Sequence, residues 1–211
     1  MRLKSLVSLL APPLCVACGA SAGRVEPLCS RCRGELRWLP APGGRTSVLS
    51  LWAPFSYESG ARALVHALKF RGLPGAAATM GAQIAATAPA ELLDGATLVP
   101  VPLHPERLRR RGYNQAELLA REVGKRRGCP VSDCLERVGD AGTQVGRTRC
   151  ERLIALEGSV RVREAVRAPR LAVLVDDVST TGATLDVCAD ALLGAGCRAV
   201  RGLAYAHTPA L

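Results

Sequence analysis

Aromatic side chains are scarce in this chain: two Trp, three Tyr and two Phe among 211 residues. Its core must therefore be packed from Leu, Val and Ala, and a nucleic-acid strand would find few rings to stack on. No apolar run approaches the ~20 residues that a membrane-spanning helix needs. No GK[ST] tripeptide occurs, which excludes a Walker A loop. Only three histidines are present, leaving few candidates for a proton acceptor at neutral pH. The opening MRLKSLVSLLAPPLCVAC starts like a signal peptide, with Arg2 and Lys4 before a short apolar stretch. Pro12 and Pro13 break that stretch, no small-residue cleavage site follows, and Leu14 before Cys15 does not suit a lipoprotein site. The chain reads as a cytoplasmic protein without a membrane partner.

Negative charge is also in deficit: 18 Asp and Glu face 28 Lys and Arg, a formal net charge of +10. The excess is local. Residues 1–45 carry 7 basic and 2 acidic side chains, and residues 105–170 carry 16 and 9, whereas residues 46–104 are balanced. Basic regions suit polyanions, either nucleic acid or a phosphorylated small molecule. A run such as Arg109-Arg110-Arg111 can equally be a solvated loop.

Cysteine is plentiful, with nine. Four are patterned: Cys15-x2-Cys18, ten residues, then Cys29-x2-Cys32. Two such hooks close a tetrahedron of thiolates around a structural Zn²⁺ with no open position. The rivals are an iron–sulfur cluster and a thioredoxin-like redox pair, and the latter would need a βαβ context that this region lacks. Cys129, Cys134, Cys150, Cys188 and Cys197 have no ligand spacing, and Cys188 and Cys197 read as small apolar fillers. PAPGGRT, residues 40–46, reads as a linker. The expected division is a zinc module with its linker over 1–45 and a larger domain over 46–211.

In the larger domain, SVLSLWAPF reads as a strand ended by Pro54. ARALVHALKF and the Ala-rich stretch 75–87 read as helices, and residues 97–101 as a short strand. A Pro-punctuated turn and an Arg-rich loop follow. A helix is then expected from Asn114 to Arg127, with Asn114 as cap and Glu117 at the capping-box offset. VSDCLERV, SVRV, LAVLV and RAVRGLAYA are strand candidates, with a helix over 182–195. Strands alternating with helices imply a mostly parallel α/β sheet with flanking helices.

The segment LAVLVDDVSTTGAT is the most informative. Ligands of open parallel sheets bind beyond the carboxyl ends of the strands, where Asp176 and Asp177 fall. Ser179, Thr180, Thr181, Gly182, Ala183 and Thr184 then lead into a helix, whose N-terminus offers N–H groups to an anion. An anion cradle beside two carboxylates fits a ribose 5-phosphate: the acids accept from the sugar hydroxyls and the loop holds the phosphate. A receiver domain would need its acidic pair on an early strand, and only 34 residues follow Asp177. A plain capped turn needs one Asp or Ser, not this many polar groups.

VLVDDVSTTGAT resembles the signature that binds 5-phosphoribosyl 1-diphosphate (PRPP) in type I phosphoribosyltransferases. Taken with the four cysteines, LKFRG, VPVPLHPERLRRRGYNQAELLA and TQVGRTRCER, the chain resembles the ComF family across nearly its whole length. These are competence-associated, phosphoribosyltransferase-like proteins with an N-terminal zinc ribbon. The resemblance implies a type I phosphoribosyltransferase-like sheet and transfer or binding of 5-phosphoribosyl groups with Mg²⁺, in a setting of DNA uptake. It assigns Asp176 and Asp177 to the ribose hydroxyls and residues 179–184 to the 5-phosphate. Pro100, Val101, Pro102 and Leu103 take the place of the pyrophosphate loop. Residues 143–152 resemble the hood over PRPP, with Arg147, Arg149 and Arg152 facing the diphosphate. Lys69 and Arg71 could also reach phosphate, and His104 is the best placed of the histidines as a base. The alternative is a non-catalytic accessory protein that keeps the fold and binds single-stranded DNA or DNA-uptake proteins.

Overall fold

The structure is a computed structural model that describes residues 13–23, 26–39, 43–46, 48–138 and 159–208. Its strands are β1 (Gly43–Arg45), β2 (Ser50–Trp52), β3 (Phe55–Ser56), β4 (Thr97–Pro100), β5 (Leu135–Arg137), β6 (Val160–Val162), β7 (Leu171–Ser179) and β8 (Ala199–His207). Its helices are α1 (Ser30–Gly34), α2 (Ser59–Phe70), α3 (Ala76–Thr87), α4 (Ala90–Leu93), α5 (Pro105–Arg111), α6 (Gln115–Arg127) and α7 (Ala183–Gly194).

Ala172, Val173, Leu174 and Val175 are all fully buried, because helices cover both faces of the strand they form. That strand, β7, lies between β4 and β8 in a sheet of order β1-β2-β8-β7-β4, with β3 also pairing β8. Every pairing is parallel except β1 with β2. The mostly parallel α/β sheet expected from the sequence is therefore present. Period-two alternation sorts the core. Val173 and Val175 pack in one cluster with Leu64, Leu68, Met80, Ile84 and Leu119, and Ala172 and Leu174 pack in another with Leu185, Cys188 and Leu192.

Helices α3 and α6 approach closely at Gly81, where a Cβ would lie 2.5 Å from Glu122 Cβ. Gly81→Ala is therefore expected to destabilise the fold. Overpacking costs about 1–3 kcal/mol, against a gain in helix propensity of at most about 1 kcal/mol. A urea titration showing a gain would mean that the two helices separate freely.

Three local expectations need correction, and a fourth is refined. Pro54 follows the end of β2 at Trp52, but pairing with β8 resumes beyond it in β3. The linker reading fails for residues 43–45, which form β1 on the sheet edge. The Arg-rich stretch is helix α5, not loop. Pro105 occupies its first turn, His104 Nδ1 accepts from the Glu106 N–H at 3.3 Å, and Gly112 ends it at φ 81°. Finally, β7 does not stop after LAVLV but continues through both aspartates, because β8 pairs with it as far as His207.

The cysteine-bearing segment packs on the α/β body. Leu28 and Leu36 share a buried cluster with Phe55, Leu64 and Leu68, and the Arg71 guanidinium donates to the Val16 carbonyl at 3.1 Å. Among the described residues, no helix is long and apolar enough to cross a membrane.

Candidate functional site

Strand β4 ends at Pro100, opposite Val175. Strand β7 runs four residues farther, paired only with β8, so Asp176 and Asp177 stand on a shelf beyond the end of β4. Strand alternation sends the two side chains to opposite faces. Asp177 is 1 % exposed, and its Oδ1 lies 3.0 Å from Lys69 Nζ at the end of α2. Its Oδ2 is buried and has no hydrogen-bond partner among the described residues. Ser179 Oγ, on the same face two residues on, is in the same condition. The structure thus places Lys69 against Asp177.

Asp176 is half-buried, and its Oδ1 accepts from the Asp177 N–H at 2.8 Å. Burial, and then the neighbouring Asp177 charge, push its carboxyl well above the usual carboxylate range, with Lys69 opposing. Because its pKa is raised on folding, the unfolded chain releases the proton first. Stability then falls as pH rises from the ordinary carboxylate range toward the raised value. Asp176→Asn is therefore expected to stabilise the protein at neutral pH. The gain should disappear below about pH 3.9, where the carboxyl is protonated in both states. Thermal melts at neutral and acid pH check this, and a loss at neutral pH would contradict it.

Beyond β7 the turn is open. Thr180 and Thr181 are exposed, Thr184 is half-buried, and the Ala183 N–H donates to Thr181 Oγ1 at 3.4 Å. Gly182 precedes α7 at φ 81°, a left-handed conformation that favours glycine. A Cβ there would also strike Thr46, 2.3 Å away. Thr46 Oγ1 donates to Asp186 Oδ1, and the Val48 N–H donates to the same oxygen at 3.1 Å, which ties the β1–β2 connection to the start of α7.

The turn of Pro100, Val101, Pro102 and Leu103 borders this shelf. The Val101 N–H donates to the Val175 carbonyl at 3.0 Å, one residue before Asp176. Asn114 serves twice: its Oδ1 caps α6 through the Ala116 N–H, and its Nδ2 donates to the Val101 carbonyl at 3.0 Å. Glu117 does not complete a capping box and instead pairs with Arg121 at 2.7 Å. His104 caps α5. The hood candidates Arg147, Arg149 and Arg152 lie outside the described residues. The antiparallel pair β5–β6 lies on either side of that stretch in sequence.

Sequence reasoning did not connect Arg111, Phe70 or Arg137 with this site. The Arg111 guanidinium donates to Gln115 Oε1 and lies 5.7 Å from the Phe70 ring centroid. Burial lowers its pKa, and the Asp177 charge opposes that. Phe70 itself is 69 % exposed. Arg137 donates from Nε to the Pro102 carbonyl at 3.4 Å; burial lowers its pKa, while Cys188 and Asp176 raise it. The contacts of Arg111 with Phe70 and of Arg137 with Pro102 join residues tens of positions apart, so no local pattern reports them. The Arg-rich run was the one available clue to Arg111.

The sulfurs of Cys15, Cys18, Cys29 and Cys32 all lie within 4.8 Å of one another, and Cys18 Sγ to Cys29 Sγ is 3.7 Å. All four are free thiols. Zn–S bonds of about 2.3 Å in a tetrahedron put sulfurs roughly 3.8 Å apart. The cluster therefore fits a structural zinc ion with small inward movements.

No protein-family model matches the chain. It is 33% identical over 203 residues to DNA utilization protein YhgH of Salmonella typhi, covering 89% of this chain and 81% of that protein. It is 38% identical over 92 residues to Competence protein F of Haemophilus influenzae, covering 42% and 40% of the two chains. Among solved structures, a hypoxanthine phosphoribosyltransferase from Staphylococcus aureus aligns at 12% identity and a TM-score of 0.36, over 64% of this chain and 62% of that one.

Proposed function

The chain belongs to the ComF family, and on that premise we propose that it binds PRPP at the carboxyl edge of its sheet, in the service of competence or DNA utilization. Two of the buried side-chain oxygens that have no hydrogen-bond partner among the described residues, Asp177 Oδ2 and Ser179 Oγ, carry this reading. An unsatisfied buried acceptor costs about 1–3 kcal/mol, and a sugar hydroxyl that displaces the cover over these atoms would remove that cost. Asp176 and Asp177 accept from the ribose 2- and 3-hydroxyls. Residues 179–184 receive the 5-phosphate on the exposed threonine turn and the start of α7. Residues 100–103 border the diphosphate.

Displacement of pyrophosphate from C1 would build positive charge on the sugar and negative charge on the leaving group. The Asp177 carboxylate favours the first, and arginine favours the second. The donor set at this edge, carboxylates plus the ligand's own diphosphate, is one that Mg²⁺ accepts. When bound, Mg²⁺ would offset the leaving-group charge. The four cysteines hold a structural zinc in this reading.

Calorimetric titration of PRPP with Mg²⁺ tests it. The wild type should bind, and Asp177→Asn should bind roughly 10–100-fold more weakly, the value of a charge-assisted hydrogen bond. Equal binding by both proteins, or by neither, contradicts the site.

A second reading is favoured by Phe70, exposed beside the Arg111 guanidinium. Helix α5 adds Arg107, Arg109 and Arg110 and buries none of its residues. An aromatic ring flanked by cations suits a single strand of DNA. Binding of that kind should weaken steeply between 50 and 200 mM salt, by about tenfold or more for a few phosphate contacts. PRPP binding should change much less.

A further inference from the structure

A cavity of about 460 Å³ lies at the opposite end of the sheet, lined by Val162, Val166, Arg167, Ala168, Arg170, Ala195, Gly196 and Arg198. It stands where β7 and β8 begin and α7 ends, so β7 separates it from the aspartates by roughly 20 Å at ~3.3 Å per residue. No acidic side chain lines it.

The three arginines differ from their neighbours. On and beside β6, Arg161 pairs with Glu136 at 2.8 Å and Arg163 pairs with Asp133 at 3.1 Å. Among the described residues, no carboxylate lies within 4.0 Å of the Arg167, Arg170 or Arg198 guanidinium groups. Cations near a helix C-terminus are commonly explained by the last carbonyls. Here the carbonyls of Ala191, Leu192 and Leu193 already accept from the N–H groups of Ala195, Gly196 and Cys197. Three forks with no acidic partner among the described residues stand around one concave site, with an apolar wall of Val162, Val166 and Ala168, and match an anion with several phosphate oxygens.

We propose that this cavity is a second anion site, taking a chain of two or more linked phosphates through Arg167, Arg170 and Arg198. The phosphates come either from a free polyphosphate or from a nucleic-acid backbone. The site is independent of PRPP binding.

The test uses the full zinc-loaded chain, with inorganic tripolyphosphate in a calorimeter and a short labelled oligothymidylate in fluorescence anisotropy. Arg170→Gln/Arg198→Gln should weaken at least one probe about tenfold. Arg161→Gln, which removes an arginine already paired with acids, should change neither. A loss for tripolyphosphate identifies the free anion, and a loss for oligothymidylate alone identifies the backbone. Unchanged binding of both probes in the double variant, an equal loss in Arg161→Gln, or no binding by the wild type overturns the proposal. Circular dichroism melts confirm that the variants fold. Failure of the PRPP reading would appear separately, as unchanged PRPP affinity in Asp177→Asn.

Discussion

Lys69→Met is expected to lower folding stability by about 3–5 kcal/mol at neutral pH, the cost of breaking one side of a buried ion pair. Asp177 is 1 % exposed, so its carboxylate cannot turn to water when the ammonium is removed. Methionine keeps the apolar stem and removes only the charge, which separates electrostatics from packing. Lys69 is 23 % exposed, and water entering at its end draws the cost toward the lower figure. Adding Asp177→Asn to Lys69→Met should recover most of the loss, because the stranded charge is then gone. Urea titrations of the single and double variants measure both quantities. A single-variant loss below about 1 kcal/mol would mean that the pair behaves like one at the surface.

Cys32→Ser should have a comparable or larger effect on the N-terminal segment. It removes one of four sulfurs that lie within 4.8 Å of one another. Three thiolates hold zinc far less tightly than four, and metal binding to such sites supplies folding free energy, about 10–16 kcal/mol in isolated zinc-finger peptides. Metal analysis should find about one zinc per wild-type chain and well under half that in the variant. Leu28 and Leu36, packed against Leu64 and Leu68, should then become accessible. Limited proteolysis would show this as early cleavage in the cysteine segment. A variant as protease-resistant as wild type would show that packing alone holds the segment.

The cysteine hooks were legible because a four-sulfur cluster takes its members in pairs three positions apart, Cys15 with Cys18 and Cys29 with Cys32, which a linear sequence displays. The parallel sheet was legible for a similar reason, since LAVLV can be uniformly apolar only if both faces are covered. Helix α5 was missed because its charges mark a solvated surface in any conformation. Its start and stop, Pro105 and Gly112, were the better signals. The extension of β7 through the aspartates was invisible because the residues of β8 that pair with it lie 28 positions downstream, as Asp176 with Ala204. The contacts of Lys69 with Asp177 and of Arg137 with Pro102 are tertiary in the same sense. The local motif showed which residues form the shelf, and only the fold showed what faces them.

The whole account turns on where a phosphoribosyl ligand settles, and amide chemical shifts recorded with and without PRPP and Mg²⁺ locate it residue by residue. The expected result is movement of the backbone amides of Thr180 to Thr184, together with Val101 and Asp177. Shifts confined to the arginine cavity at Arg167, Arg170 and Arg198, or none at saturating ligand, would contradict a sugar-phosphate site at the carboxyl edge.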